Sequence, residues 1–176
     1  MLISNLLFNL LTTNMAKSVV ALNTPNKTQY FRPADDQWIE KSFPFIASVA
    51  IPQGAAVGIK ITSNTTTGEL TLMGVENAAG ADFVGIMAEP IVSTDADYAT
   101  SGKMKQVKVP LTYSALAEFA VGAGTFTKAD VFKTVEFHSD SLGLAVDTAG
   151  KGARIMGYIS STRGLCSFPM PATETA

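Results

Sequence analysis

From Phe45 onward the chain alternates between apolar and polar positions in short stretches. Val57, Ile59 and Ile61 are interleaved with Gly58, Lys60 and Thr62. Leu70 and Leu72 alternate with Glu69, Thr71 and Met73. A period of two places one set of side chains on a buried face of a strand and the other on an open face. Phe45 to Ile51 is an apolar run ended by Pro52-Gln53-Gly54, and Phe83 to Ala88 is apolar on both faces. The second of these predicts either a central strand or one covered by a partner. Val107 and Val109 lead to Pro110. Val131, Val135 and Phe137 oppose Asp130, Thr134, Glu136 and His138, and Leu142, Leu144 and Val146 form another inward row. Ala153 to Ile159 and Leu165 to Met170 read as the closing strands. Asn64 to Gly68 and Asp147 to Gly152 read as turns. Tyr113 to Ala120 is ambiguous, because Leu116-Ala117-Glu118-Phe119 would also suit a helical turn. Short strands separated by turns predict an all-β fold, a small β-barrel or sandwich of antiparallel strands over residues 44–176.

The start of the chain has a different pattern. Residues 1–14 carry no charge, and Leu2, Ile3, Leu6, Leu7, Leu10 and Leu11 recur at spacings of three and four. That is the helical period. Residues 1–16 therefore read as an apolar arm, helical or extended. A basic n-region and a small-residue cleavage site, the marks of a signal peptide, are missing. The stretch is shorter than the roughly 20 residues a transmembrane helix needs. Met15-Ala16-Lys17-Ser18 would also serve as a natural start. An uncharged apolar helix needs a cover, so the arm is expected to dock on a neighbouring subunit. Residues 17–43 read as an extended linker, anchored by Tyr30, Phe31 and Trp38, with Asp35-Asp36 able to cap one helical turn.

One internal echo is visible. Ala79-Gly80 before the Phe83–Met87 strand resembles Ala149-Gly150 before the Ile155–Ile159 strand. Downstream, Val107-Lys108-Val109-Pro110 resembles Phe168-Pro169-Met170-Pro171. The choice is between a decayed duplication and two similar hairpins, and the sequence favours the hairpins.

Composition adds a constraint on the surface. Of the 176 residues, 47% are hydrophobic and only 16% charged, against roughly 25% charged in ordinary globular domains. Interface cores are depleted in Lys, Glu and Asp, so this balance suits an obligate oligomer or an assembly component. The net charge of −2 comes without a basic block, which argues against nucleic acid as the partner. Lys103, Lys105 and Lys108 would fit a solvated strand edge. The single cysteine, Cys166, lies in an apolar run and reads as a buried inert thiol.

No constellation of reactive residues meets the requirements of a catalytic or metal site. His138-Ser139-Asp140 holds the residue types of a hydrolytic triad, but neighbours along a strand point to opposite faces. One His and one Cys do not make a transition-metal site. Asp95 and Asp97 lack the Asp/Asn-rich loop and closing Glu of a calcium site. Gly150-Lys151-Gly152 has Ala145 and Gly152 where a phosphate loop needs Gly and Ser or Thr. Gly122-Ala123-Gly124 reads as a turn. Asn64-Thr65-Thr66 matches a glycosylation acceptor without a secretory context. The expectation is a protein that is not an enzyme and carries no cofactor.

A family resemblance rests on the order of these features. A Gly54-led turn runs into Val57, a hairpin follows, and then comes Ala79-Gly80-Ala81-Asp82-Phe83-Val84-Gly85-Ile86-Met87. A Gly102-led strand, Gly122-Ala123-Gly124-Thr125-Phe126, the Asp130–Phe137 strand, Ala153 to Ile159 and a Gly164-led last strand complete it. Over residues 45–170 this resembles the small β-barrel decoration (cement) proteins of tailed-phage capsids. The resemblance implies a homotrimer on the outer capsid surface of the virion. It would clamp neighbouring major capsid subunits, without nucleic acid or membrane as a partner. Repeated weak contacts on a symmetric shell would supply the avidity. Phe83, Ile86 and Met87, on the strand that is apolar on both faces, are the expected subunit interface. Two other readings stay open: another virion β-module (head-fibre base, tail or neck component), or a cell-surface adhesion or pilin-like domain.

Overall fold

In the computed structural model, the described residues are 31–62, 65–74, 81–150 and 152–168. Eleven strands make up almost all the regular structure: β1 (Arg32–Pro33), β2 (Trp38–Pro44), β3 (Ala56–Thr62), β4 (Thr65–Leu72), β5 (Ala81–Met87), β6 (Met104–Pro110), β7 (Ala117–Ala123), β8 (Thr134–Phe137), β9 (Leu144–Ala149), β10 (Ala153–Ser160) and β11 (Arg163–Ser167). A 3-10 turn spans Lys128–Asp130. The fold is all-β.

The strands form two rings. The first runs β2-β6-β5-β3-β4, and a parallel bridge between Phe45 and Leu70 closes it. The second runs β7-β11-β10-β8-β9, and parallel pairing of β9 with β7 closes it. Taken in chain order, β2 to β6 and β7 to β11 occupy the same places in their rings. All other neighbours within both rings are antiparallel.

The correspondence extends to single residues. Val57 pairs with Gly85 as Val135 pairs with Ala153, and Met87 with Val107 as Ile155 with Cys166. Met87, Val107, Ile155 and Cys166 are all buried. The turns into β3 and β8 also match. Ala55 N–H bonds to the Pro52 carbonyl (3.3 Å), as Lys133 N–H does to Asp130 (3.1 Å). The strands β2 to β6 and β7 to β11 are thus a tandem repeat of one five-stranded unit. The repeat covers every strand of both units, which two similar hairpins would not, and its register differs from the sequence echo, since Val107 corresponds to Cys166 rather than Phe168 and Met87 to Ile155 rather than Ile159.

Each barrel has its own interior. Phe45, Ile51, Val57, Leu70, Met87, Ile91 and Val107 fill the first. Phe119, Val135, Leu144, Val146, Ile155 and Cys166 belong to a larger cluster that also fills the seam between the barrels. There Phe83 stacks on Phe168 with ring centres 4.1 Å apart. Phe31 meets Phe137 and Phe168 edge-on at 5.9 and 5.5 Å, and Trp38 meets Phe168 at 6.1 Å. Such pairs contribute roughly 0.5–1.5 kcal/mol each beyond the burial of their area.

The turn at His138–Ser141 ties the barrels together. The Ala56 N–H donates to the Ser141 carbonyl (2.8 Å) and the Gly74 N–H to Ser141 Oγ (2.7 Å). A Cβ on Gly74 would sit 1.8 Å from the His138 carbonyl oxygen, so only glycine allows this approach.

Several local expectations are revised. The described part of the linker, residues 31–43, belongs to the body. β1 pairs with β7, β2 pairs with β6 along its whole length, and Phe31 is buried. Asp35 caps no helix; it accepts the Leu116 N–H (2.7 Å) and joins the two units. The Phe45–Ile51 run is not a continuous strand, because Ser48 adopts φ +62° and bonds to Tyr98 instead. Leu116–Phe119 leads into β7, not a helical turn. Strand β4 begins at Thr65, so the predicted turn up to Gly68 is largely strand. Asp147 to Ala149 likewise extend β9.

Candidate functional site

The expected subunit interface does not face outward. Phe83 is 6% exposed, and Ile86 and Met87 are each 1% exposed. β5 lies between β3 and β6. Its Met87 side points into the first barrel, and its Phe83 and Ile86 side packs in the cluster shared with the second. A partner does cover the two-faced strand, but that partner is the other half of the same chain. The arm residues Leu2, Ile3, Leu6, Leu7, Leu10 and Leu11 lie outside the described residues, as does Asn64.

The candidates for chemistry lie apart from one another in the described residues. His138 Nδ1 is buried and lies 2.8 Å from Asp140 Oδ1. The approach is at ion-pair distance without the direction of a hydrogen bond, and the same carboxylate oxygen accepts the Leu142 N–H at 2.8 Å. The imidazole rests on Gly122, where a Cβ would come within 2.5 Å of it, and Gly122 lies in β7 rather than in a turn. Asp95 accepts the Val92 N–H (3.2 Å) and the Lys105 ammonium (3.1 Å). These bonds hold the Asp95 carboxyl below its ordinary range, and the bond to Asp95 raises Lys105. Strand β6, which carries Lys105 and Lys108, lies between β2 and β5 and is not a sheet edge. Cys166 is fully buried, and desolvation pushes its thiol far above the usual range.

The feature that sequence reasoning missed is Phe132. It has φ +72°, a left-handed conformation that bulky side chains rarely adopt. The residue is 62% exposed. The Arg154 guanidinium lies 5.7 Å from the ring centre, within cation–π reach. Met156 stands exposed two positions along β10 from Arg154. The first barrel has Gly54 at the matching place, with φ +77°. The Gly54 N–H donates to Met87 and the Phe132 N–H to Ile155, at 2.9 and 2.8 Å. The sequence signal is a single shared residue, since Gly54-x-x-Val57 corresponds to Phe132-x-x-Val135 with only the valine in common.

Further apolar side chains stand in solvent. Leu111 and Tyr113 lie between β6 and β7, and Val92 and Met104 lie near the Asp95–Lys105 pair. A cleft of about 470 Å³ lies beside Phe31, Gly54, Ile86, Met87 and Lys108. Among the described residues, no helix is long and apolar enough to cross a membrane. No family model matches the chain, and no curated protein or solved structure is significantly similar to it. The arrangement is a two-barrel body that exposes apolar and aromatic side chains at several separate places.

Proposed function

We propose that the chain is a structural, non-enzymatic virion protein. It binds the outside of a phage capsid as a homotrimer and stabilises the shell by bridging neighbouring major capsid subunits. The observation that carries this reading is a two-barrel body that exposes aromatic and aliphatic side chains in a charge-poor chain. Phe132, Tyr113, Leu111 and Met104 are each at least half exposed, in a chain with only 16% charged residues. Exposed aromatic and methionine side chains are residue types enriched in protein–protein interfaces. The motifs of the resemblance also support it. The Gly54-led turn opens β3, and Val84-Gly85-Ile86 lies in central strand β5 of a small barrel.

The test is to strip the protein from capsids and then warm them or lower their magnesium. The stripped capsids are expected to rupture earlier and to regain resistance when the protein is added back. Undiminished resistance would count against the reading.

A further inference from the structure

We propose that the outer face at Phe132, Arg154 and Met156 is a docking site for an acidic segment of another protein, one that presents carboxylates beside an apolar side chain. The first barrel is the internal comparison. Phe132 holds the place of Gly54, and Arg154 that of Ile86, because Arg154 pairs with Thr134 as Ile86 pairs with Ala56. Lys133 holds the place of Ala55. Its carbonyl accepts the Ile155 N–H as the Ala55 carbonyl accepts the Met87 N–H, both at 2.9 Å. Met156 follows Ile155 as Ala88 follows Met87. In the first barrel this face is covered by the rest of the chain. Ala55 and Ile86 are buried, and the Ala56 N–H bonds to Ser141 of the second barrel. In the second barrel Phe132, Lys133, Arg154 and Met156 are all exposed.

The charge of this face is positive. Lys133 is balanced by Asp130 at 2.7 Å, and Asp130 is buried. Arg154 makes no ion pair among the described residues, and its guanidinium lies 5.7 Å from the Phe132 ring centre instead. Lys128, on the 3-10 turn beside β10, is exposed and likewise makes no ion pair among them. Glu136 is half-buried against Gly150, and Asp147 stands on β9, across β8 from Arg154 on β10. Solvation accounts for the cations but not for Phe132. At φ +72° an exposed position is filled without strain by glycine, as at Gly54, and strain at a bulky residue persists where the residue has a use. Aromatic residues, methionine and arginine are the types enriched at protein interfaces, and the guanidinium fork matches a carboxylate. A polyanion is the poorer fit. The chain as a whole carries a charge of −2, and phosphate backbones are bound by clustered lysines and arginines. Charge complementarity selects a short acidic stretch, with an apolar side chain to meet Phe132 and Met156.

Purified full-length chain, isotope-labelled for amide NMR, is titrated with a short peptide of alternating Glu and Leu. No capsid is present, so a negative result leaves the capsid reading untouched. The peptide is expected to shift the Phe132, Lys133, Arg154 and Met156 amides. It should bind at least about threefold more tightly than the matching peptide of Gln and Leu. Arg154→Gln should weaken binding by at least about threefold. Phe132→Gly should weaken it about tenfold while keeping or raising the melting temperature of the fold, since glycine is relaxed at this φ. Phe132→Tyr should bind like the wild type. No saturable shift, shifts centred elsewhere on the barrels, equal binding of the two peptides, or unchanged binding by Phe132→Gly would each overturn the proposal. So would a stronger response to phosphatidylserine vesicles or to oligothymidylate than to the acidic peptide, which would assign the face to a membrane or to nucleic acid.

Discussion

Gly54 and Phe132 hold the same backbone position in two copies of one barrel. Both have positive φ, and each donates its N–H to the strand that crosses its barrel, at Met87 and Ile155. That pair of residues fixes the register of the repeat. It also makes plain what the second copy did differently. A position that glycine fills without strain is filled there by an exposed aromatic ring.

The seam should make the two barrels one cooperative unit. Phe83 stacks between elements of both, against Phe168 and Phe137. Truncating a buried Phe to Ala typically removes about 3–5 kcal/mol. Phe83→Ala is expected to lower stability by that amount in denaturant titration. A loss under about 1 kcal/mol would mean that the seam does not hold the halves together.

Gly74 tests the inter-barrel turn. Any Cβ there meets the His138 carbonyl, which is backbone and cannot swing aside. Gly74→Ala should destabilise by about 1–3 kcal/mol through overpacking. Gly68→Ala is a useful control, because a Cβ there meets nothing within 4 Å. Its own left-handed φ of +75° limits the damage to local strain. Equal losses for the two variants would remove the special role given to the Gly74 contact.

Acid should loosen the turn into β8. Bonds from Lys133 and from the Thr127 N–H and hydroxyl hold the Asp130 carboxyl down, to about 2 from an ordinary 3.8. A depressed folded-state value means that this stabilisation is complete above the unfolded value and is lost as pH falls towards the folded one. The wild type should lose stability between about pH 4 and pH 2 more steeply than Asp130→Asn. Parallel pH profiles for the two proteins would contradict that assignment.

The Cys166 thiol should be silent in the folded protein. It is fully buried, and desolvation disfavours its thiolate. A thiol reagent at pH 8 should label it only after denaturant is added. Labelling of the native chain at the rate of a free thiol would show that the second barrel opens readily.

Much of the architecture follows from alternation. β3, β8 and β9 include the alternating positions Val57–Ile61, Val135–Phe137 and Leu144–Val146, and the apolar two-faced character of β5 does mark a strand covered on both sides. What alternation lacks is the identity of the cover. Phe83 and Ile86 look the same in a sequence whether a second subunit or the second half of the chain buries them. The sequence favours two similar hairpins over a duplication for a related reason. The two units share positions rather than residues, with Val57 and Val135 alike but Gly54 replaced by Phe132, Met87 by Ile155 and Val107 by Cys166. The irregular pieces, such as Phe45–Ile51, depend on a single left-handed residue, Ser48, and on distant Tyr98. Local pattern carries no trace of either.

The arm bears on assembly. Deleting residues 1–14 should weaken association of the chain with itself or with capsids, while leaving the melting temperature of the barrels unchanged. Undiminished assembly would show that the uncharged Leu2–Leu11 stripe has no part in it.

The most direct measurement is an image reconstruction of the intact particle that carries this protein. The expected result is density for the two barrels on the outer capsid surface, repeated at three-fold or quasi-three-fold positions and touching more than one major capsid subunit. Density confined to the tail or neck, or its absence from the shell, would contradict the capsid-stabilising role.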